Sequence, residues 1–248
     1  MTWPPPGLRS MLIGNLLSKL KTTPLHPQWF VFYGEAAGLQ EICRGLEGLV
    51  SDIGCADSKP RRYLSPAADY LGIDYFATAT GWYHTRPDLF ADAQALPLKG
   101  NSIDHTLLLD VLEHLPDPER CLAEIHRTLK PGGSLTIQVP FLYPVHDAPL
   151  DFHRWTRFGL LNAAKRHGFN VKQEIVLGHP LESAALNANI ALSRTVINWL
   201  QSKNILGLTA VLLPLAVLLI NITAWTGARL SKPDPLMPHG YRMIWIKQ

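Results

Sequence analysis

Short apolar runs rich in strand-forming residues recur along the chain and alternate with stretches of helical spacing. Five of these runs lie at residues 49–53, 70–74, 89–94, 105–113 and 130–140, the last including a helix stop and a tight turn. Two further runs lie at residues 169–177 and 240–247. Strands that alternate with helices in this way are typical of an α/β domain built on a largely parallel sheet.

Acidic residues stand at or near the ends of the early runs. The first run is followed by Gly54 and small residues, the second ends at Asp74, and Asp92 and Asp110 accompany the third and fourth. In an open parallel sheet the carboxyl ends of the strands meet at one edge, where nucleotide-like ligands bind. A phosphate-cradling fingerprint carries three glycines, whereas Gly54 stands alone in its turn. The order of the motifs therefore carries more weight than any single one.

With these motifs in this order, residues 45–178 resemble the class I S-adenosylmethionine (SAM)-dependent methyltransferases, and among them the bacterial type 11 methyltransferase domains. The resemblance implies an α/β, Rossmann-like sheet of seven strands, mostly parallel, whose antiparallel last strand is the run at residues 240–247. It also implies that SAM is the cofactor. The hydrophobic stretch before the last strand is then a helical insertion.

The resemblance further implies a set of cofactor-binding residues at the ends of the first four strands. They are Asp52, Gly54, Ala56, Asp57, Asp74, Tyr75, Asp92, Ala93, Gln94, Asp110, Val111 and His114. We expect Asp74 to accept hydrogen bonds from the ribose hydroxyls, Asp92 to pair with the adenine amino group, and His114 to support the cofactor. Ala56 replaces the family's second glycine, so a Cβ stands where the backbone approaches the ligand. We expect this departure to be tolerated.

The loop at residues 141–156 follows the fifth strand and combines aromatic residues with two histidines and two acids. Its place after a parallel strand puts it over the methyl donor. An oxygen acceptor must lose a proton, and the candidate general bases are His146, Asp151 and His153. Asp151 and Arg154 could instead only pin the loop. A metal site is disfavoured because no further ligands are paired with these residues and simple helix spacing is absent.

Residues 205–225 form a run without charge, flanked by Lys203 on one side and Arg229 on the other. At about 1.5 Å per residue, a helix of this length reaches the roughly 30 Å of a bilayer core. A single crossing conflicts with the return of the last strand to the same sheet. A hairpin with residues 183–200, a helix broken at Pro214 and an in-plane helix pair remain open, as does a soluble lid or dimer interface. We favour membrane association because the run would otherwise expose a large apolar patch.

Composition narrows the function further. The 248 residues carry a formal net charge of +3, which does not indicate a nucleic-acid-binding protein. Three widely separated cysteines without metal-ligand spacing favour reduced thiols and a cytosolic protein. The first residues lack the pattern of a signal peptide. Residues 7–21 predict a helix that packs on the domain or lies on a membrane surface.

We therefore predict an N-terminal helical segment (1–44), a SAM-binding core (45–178), a hydrophobic insertion (179–235) and a final strand (236–248). The predicted function is methyl transfer from SAM to an amphiphilic, lipid- or glycan-type acceptor, with oxygen as the favoured acceptor atom. The predicted location is the cytoplasmic face of the cytoplasmic membrane, with a homodimer possible. The alternatives are a non-catalytic membrane scaffold, suggested by Ala56, and a soluble small-molecule methyltransferase whose helices form a dimer interface.

Overall fold

The computed structural model describes residues 19–248. The chain divides into two compact units. One unit contains Ala37–Leu177 and Pro238–Gln248 and carries the sheet. Among the described residues, the other unit contains residues 19–36 and Gly178–Met237 and is helical. Most of the predicted helix at residues 7–21 lies outside the described residues.

The sheet unit is built on seven strands. They are β1 (Gly48–Ile53), β2 (Ala68–Asp74), β3 (Leu89–Phe90), β4 (Ile103–Leu109), β5 (Leu129–Pro140), β6 (Phe169–Leu177) and β7 (Gly240–Lys247). Their order is β3-β2-β1-β4-β5-β7-β6. The first five strands pair in parallel, whereas β7 runs antiparallel to both β5 and β6. The predicted Rossmann-like sheet with an antiparallel last strand is confirmed.

The central strands are apolar because both faces of the sheet are covered. Leu107 and Leu108 are consecutive in β4 and are both fully buried. Consecutive strand residues point to opposite faces; Leu107 packs with Val50 and Ile42 in one cluster, and Leu108 with Ile53 in another. Burial on both sides is the usual state of a parallel strand and explains the near-continuous apolar runs.

The helices of the sheet unit are α2 (Glu35–Cys43), the short α3 (Phe76–Thr78), α4 (Pro118–Thr128) and α5 (Arg157–Arg166). The sequence marks the starts of α4 and α5 with Asp117 and Thr156, whose side chains accept hydrogen bonds from the first-turn amides. The crossover between β1 and β2 contains Pro60 and Pro66 and forms only a short 3-10 helix, at Lys59–Tyr63.

The helical unit contains α1 (Trp29–Phe32), α6 (Pro180–Gln201), a 3-10 helix (Ile205–Leu212) and α7 (Leu213–Leu230). The helix predicted at residues 183–200 is confirmed as α6. The uncharged run does not form one uniform α-helix, because Pro214 lies in the first turn of α7, where a missing N–H is tolerated. The buried Asn189 Nδ2 donates to Asn221 Oδ1 at 2.8 Å, which joins α6 to α7.

Within residues 19–248, one helical stretch, Ile205–Leu230, is long and apolar enough to cross a membrane. Only 17% of the most apolar 18-residue segment of this stretch is buried. The core helix of a soluble protein would be mostly buried, so this stretch does not behave as one.

Candidate cofactor pocket and the neighbouring histidine cluster

A pocket of about 440 Å³ opens in the sheet unit where β1, β2 and β4 end. Such a volume suits a ligand of nucleotide size. Ten of the twelve predicted cofactor residues line it: Gly54, Ala56, Asp74, Tyr75, Asp92, Ala93, Gln94, Asp110, Val111 and His114. The parallel register brings them together, because the carboxyl ends of neighbouring strands meet at one edge.

The turn after β1 is shaped by backbone conformations that favour glycine. Gly54 has φ +73°, and a Cβ added there would overlap Val111 Cγ2 and lie 3.2 Å from Val111 Cγ1. Ala56 also has a positive φ, of 43°, although it carries a Cβ. A ligand can therefore approach the backbone closely at Gly54, as predicted, whereas the Cβ of Ala56 occupies part of that space.

The Asp74 carboxylate holds this turn against the end of β2. Its Oδ2 accepts from the Ala56 amide at 2.9 Å, and its Oδ1 accepts from the Tyr75 amide at 2.7 Å and from Thr78 Oγ1 at 3.3 Å. The residue is 6% exposed and lines the pocket. With three of its roughly four lone-pair sites used, the carboxylate can offer the remaining one to a hydroxyl of a ligand.

Asp52 and Asp57, the other two predicted cofactor residues, do not line the pocket. Asp52 is buried within β1, where its Oδ2 accepts from the Tyr70 hydroxyl at 2.6 Å. Burial raises the pKa of Asp52 to about 7, against the opposing effect of the Tyr70 hydrogen bond. Asp57 is exposed. Asp52 thus holds β1 to β2 from behind the pocket.

The predicted adenine-binding segment folds on itself beside β3. Asp92 Oδ1 accepts from the Gln94 amide at 2.8 Å and from Gln94 Nε2 at 3.1 Å. Gln94 Oε1 in turn accepts from the Asp117 amide at 3.1 Å, which fixes the segment to the start of α4. The segment is a rigid part of the pocket wall, as a base-binding edge requires.

A further wall of the pocket was not predicted from the sequence. It is formed by Thr78, Trp82 and Tyr83, with Asp147 from the loop at residues 141–156 (the acceptor loop). The Tyr83 hydroxyl donates to Asp147 Oδ2 at 2.7 Å and closes this side. The aromatic residues that follow β2 at positions 75, 76, 82 and 83 were the available signal.

The three predicted general bases do not line the pocket. Asp151 is held by Arg154 through two hydrogen bonds, at 2.5 and 2.7 Å, and its side chain is 1% exposed. Burial alone would raise its pKa, but the bonds from Arg154 and from the His146 amide lower the pKa to about 2. His153 lies beside Trp155, with ring centroids 6.1 Å apart. Asp151 therefore stays a charged anchor of the loop.

His146 instead meets the Glu113–His114 turn after β4. The His114 and His146 rings form an edge contact with centroids 4.8 Å apart. Glu113 is fully buried, and its Oε1 lies 3.6 Å from His114 Nε2 and 3.8 Å from His146 Nε2. Burial lowers the pKa of His146, but the carboxylates of Glu113 and Asp151 outweigh it and raise that pKa above its ordinary value. His114 connects this cluster to the pocket, because it lines both.

Asp110 follows β4 and lines the pocket. It has φ +55° and its Oδ2 accepts from Gln138 Nε2 at 2.7 Å. The carboxylate stays open to solvent in the pocket, so this site can receive a cationic ligand group.

Comparison with known proteins agrees with this geometry. Residues 51–137 match the family model of a methyltransferase domain. The chain is 30% identical over 95 residues to the ubiquinone/menaquinone biosynthesis C-methyltransferase UbiE of Escherichia coli. The alignment covers 36% of this chain and 38% of that protein. It is 31% identical over 100 residues to an uncharacterized 37.1 kDa protein in transposon TN4556 of Streptomyces fradiae, which covers 36% of this chain and 29% of that protein. The chain thus spans about a third of the length of the curated relatives it matches.

Solved structures show the same fold. The [4+2]-cyclase SpnF aligns with a TM-score of 0.53 and 18% identity over 86% of this chain and 80% of its own. A phosphoethanolamine N-methyltransferase of Haemonchus contortus, crystallised with SAM, aligns with a TM-score of 0.50 and 14% identity over 92% of this chain and 59% of its own. Residues 51–137 are therefore similar to the methyltransferase-domain family, and the chain shares its fold with solved proteins that include a methyltransferase crystallised with SAM.

Proposed function

We propose that the chain transfers a methyl group from SAM to an acceptor that is amphiphilic, of lipid or glycan type. The observation that carries the proposal is the pocket at the ends of β1, β2 and β4, which collects ten of the twelve residues predicted to bind the cofactor. The pocket offers what the parts of SAM need: carboxylates for a diol and for a cationic amine, and backbone that approaches closely.

Different residues would bind the ribose, adenine and methionine parts of SAM. Asp74 would accept the ribose hydroxyls, and the segment around Asp92 would border the adenine. Asp110 would face the cationic methionine end, beside the Gly54 turn. SAM supplies the electrophilic methyl group; the protein contributes chiefly by holding the acceptor lone pair in line with it.

The acceptor proton would leave through the histidines beside the pocket. His114 lines the pocket and contacts His146, whose ring is in turn paired with Asp151 at 3.3 Å from Nδ1 to Oδ2. A histidine oriented by a carboxylate is a usual general base. This arrangement favours an oxygen acceptor, whose proton must be removed.

We also propose that the helical unit binds a lipid bilayer. Ile205, Leu208 and Val211 are 78%, 74% and 80% exposed, and Leu215, Leu219 and Ile222 continue an exposed apolar face along α7. The opposite face of α7, with Val217, Asn221 and Ala224, is buried. Exposed apolar surface of this extent is typical of a membrane or protein contact. Three free, buried cysteines in residues 19–248 suit the cytoplasmic side of that membrane.

The function is tested by transfer of a radiolabelled methyl group. The full chain in mild detergent is incubated with methyl-tritiated SAM and, separately, with the lipid and the water-soluble fractions of a bacterial extract. We expect label in the lipid fraction with the native chain and at most background with Asp74→Ala. Label only in the water-soluble fraction would refute the amphiphilic acceptor. No label in either fraction, from protein that is folded, would refute the activity.

Membrane binding is tested by flotation of the full chain with anionic phospholipid vesicles. Leu208→Asp with Val211→Asp should reduce the floated fraction at least tenfold, because each acid costs about 2.5–3.5 kcal/mol in the apolar core. Phe158→Asp is the matched control, since Phe158 is 72% exposed in the sheet unit. A chain that does not float but sediments as a dimer would contradict the membrane proposal and support the dimer interface.

A further inference from the structure

The buried Glu113 carboxylate is the starting point. Its side chain is fully buried, and neither of its oxygens has a hydrogen-bond partner among the described residues. A buried carboxylate without donors is very costly, so such groups normally pair with a charge or bind an ion. The arginine of this region, Arg154, is already held by Asp151.

The neighbours of this carboxylate are two imidazole nitrogens. His114 Nε2 lies 3.6 Å and His146 Nε2 3.8 Å from Glu113 Oε1. Each of the three residues offers one ligand atom within 4.8 Å of those of the other two. A tetrahedral zinc ion with bonds of about 2.1 Å has ligands about 3.4 Å apart. The two separations exceed that value by only about 0.2–0.4 Å.

The outer nitrogens of both rings are already occupied. His114 Nδ1 lies 2.7 Å from the Leu150 carbonyl oxygen, so it must be the protonated nitrogen. His146 Nδ1 lies 3.3 Å from the Pro144 carbonyl oxygen and 3.3 Å from Asp151 Oδ2. Both neutral rings would therefore turn an Nε2 lone pair toward Glu113. This is how metal-binding histidines are oriented, with a carbonyl or carboxylate behind each.

We propose that Glu113, His114 and His146 bind a divalent transition-metal ion of the zinc type. Two imidazoles and one carboxylate suit such an ion, whereas magnesium and calcium prefer oxygen ligands. Three protein ligands leave a coordination position free, as in catalytic zinc sites. The histidines of the acceptor loop alone do not form this set, because two of its ligands come from the turn after β4.

The ion would also determine the chemical class of the methyl acceptor. This second inference rests on the proposed function. His114 lines the pocket, so the ion would lie beside the place of methyl transfer. A bound divalent ion lowers the pKa of a hydroxyl that binds it, so the acceptor proton would leave to solvent and the histidines would act as ligands in place of the base. The acceptor would then be an alcohol or phenol bound through its oxygen.

The test is a calorimetric titration of the full chain, in detergent and after chelator treatment, with zinc chloride and without SAM. We expect one zinc per chain at micromolar affinity or better. His146→Gln, His114→Gln and Glu113→Gln should each weaken binding at least about 100-fold. Because Glu113→Gln changes a buried group, each variant is first checked for folding by circular dichroism. Substitution of cobalt for zinc gives a second readout, a visible absorption band that the variants should lose.

His167→Gln is the matched control. His167 Nε2 lies 2.8 Å from Glu119 Oε2, a similar histidine–glutamate pair outside the cluster, and its loss should leave zinc affinity unchanged. No zinc binding by the folded native chain would overturn the proposal and leave His146 as an imidazolium paired with Glu113. Binding that His146→Gln leaves unchanged would also overturn it. Either result is independent of SAM binding, which Asp74 variants report.

Discussion

Replacing Gly54 with alanine perturbs the turn that joins β1 to the pocket. Gly54 has φ +73°, a left-handed conformation in which an L-residue with a Cβ is strained. The new methyl group would also overlap Val111 Cγ2 and lie 3.2 Å from Val111 Cγ1. Two separate penalties are therefore expected from one added carbon.

Their magnitudes follow from the structure. The left-handed conformation costs alanine about 1–2 kcal/mol. The overlap with Val111 costs about 1–3 kcal/mol, because neighbouring groups must shift. We expect Gly54→Ala to lower the free energy of unfolding by about 2–5 kcal/mol, a large part of the roughly 5–15 kcal/mol of a typical domain.

A double-mutant cycle with Val111→Ala separates the two penalties. Val111→Ala removes both Cγ methyl groups, so it should relieve the overlap and leave the conformational strain. In urea denaturation followed by circular dichroism, Gly54→Ala should be less harmful in the Val111→Ala background by about 1–3 kcal/mol. A coupling energy near zero would refute the placement of Gly54 against Val111.

Three further predictions concern neighbouring groups. Ala56→Gly should raise affinity for S-adenosylhomocysteine and stabilise the chain by roughly 0.5–1 kcal/mol, measured by calorimetry and denaturation, because φ 43° strains alanine. The folded-state pKa of Asp52 is about 7 against an ordinary 3.8, so the folded chain holds the proton more tightly and loses stability as pH rises from 4 to 7. Asp52→Asn should reduce that loss by up to about 2.5 kcal/mol between denaturation at pH 5 and at pH 7.5. Asp151→Asn should cost about 2 kcal/mol by the same assay, because it leaves Arg154 without its charge partner.

The fold could be predicted because its strands are buried on both faces and their ends carry distinctive residues. Val50, Leu107 and Leu108 produce continuous apolar runs, and Asp117 and Thr156 produce recognisable helix starts. The uncharged run was harder, because composition does not reveal where a helix changes type. Pro214 marks the start of α7, but the 3-10 geometry before it depends on packing within the helical unit.

The site could be predicted in part. Residues at strand ends follow from topology, so the segment at 92–94 and Asp74 could be placed by position alone. The wall of Trp82 and Tyr83 could not, since it depends on how one crossover folds over the edge of the sheet. The meeting of His146 with the Glu113–His114 turn is a contact across 32 residues, and no local pattern encodes it.

Binding of S-adenosylhomocysteine to the pocket tests the central claim most directly. Calorimetric titration of the detergent-solubilised full chain should give one site with micromolar affinity. Asp74→Asn should weaken binding, because it keeps the shape but loses the charged acceptor, and Asp74→Ala should abolish it. Asp57→Ala is the control, since Asp57 is exposed and does not line the pocket. No binding at millimolar ligand by a folded chain, or equal binding by native chain and Asp74→Ala, would contradict the account.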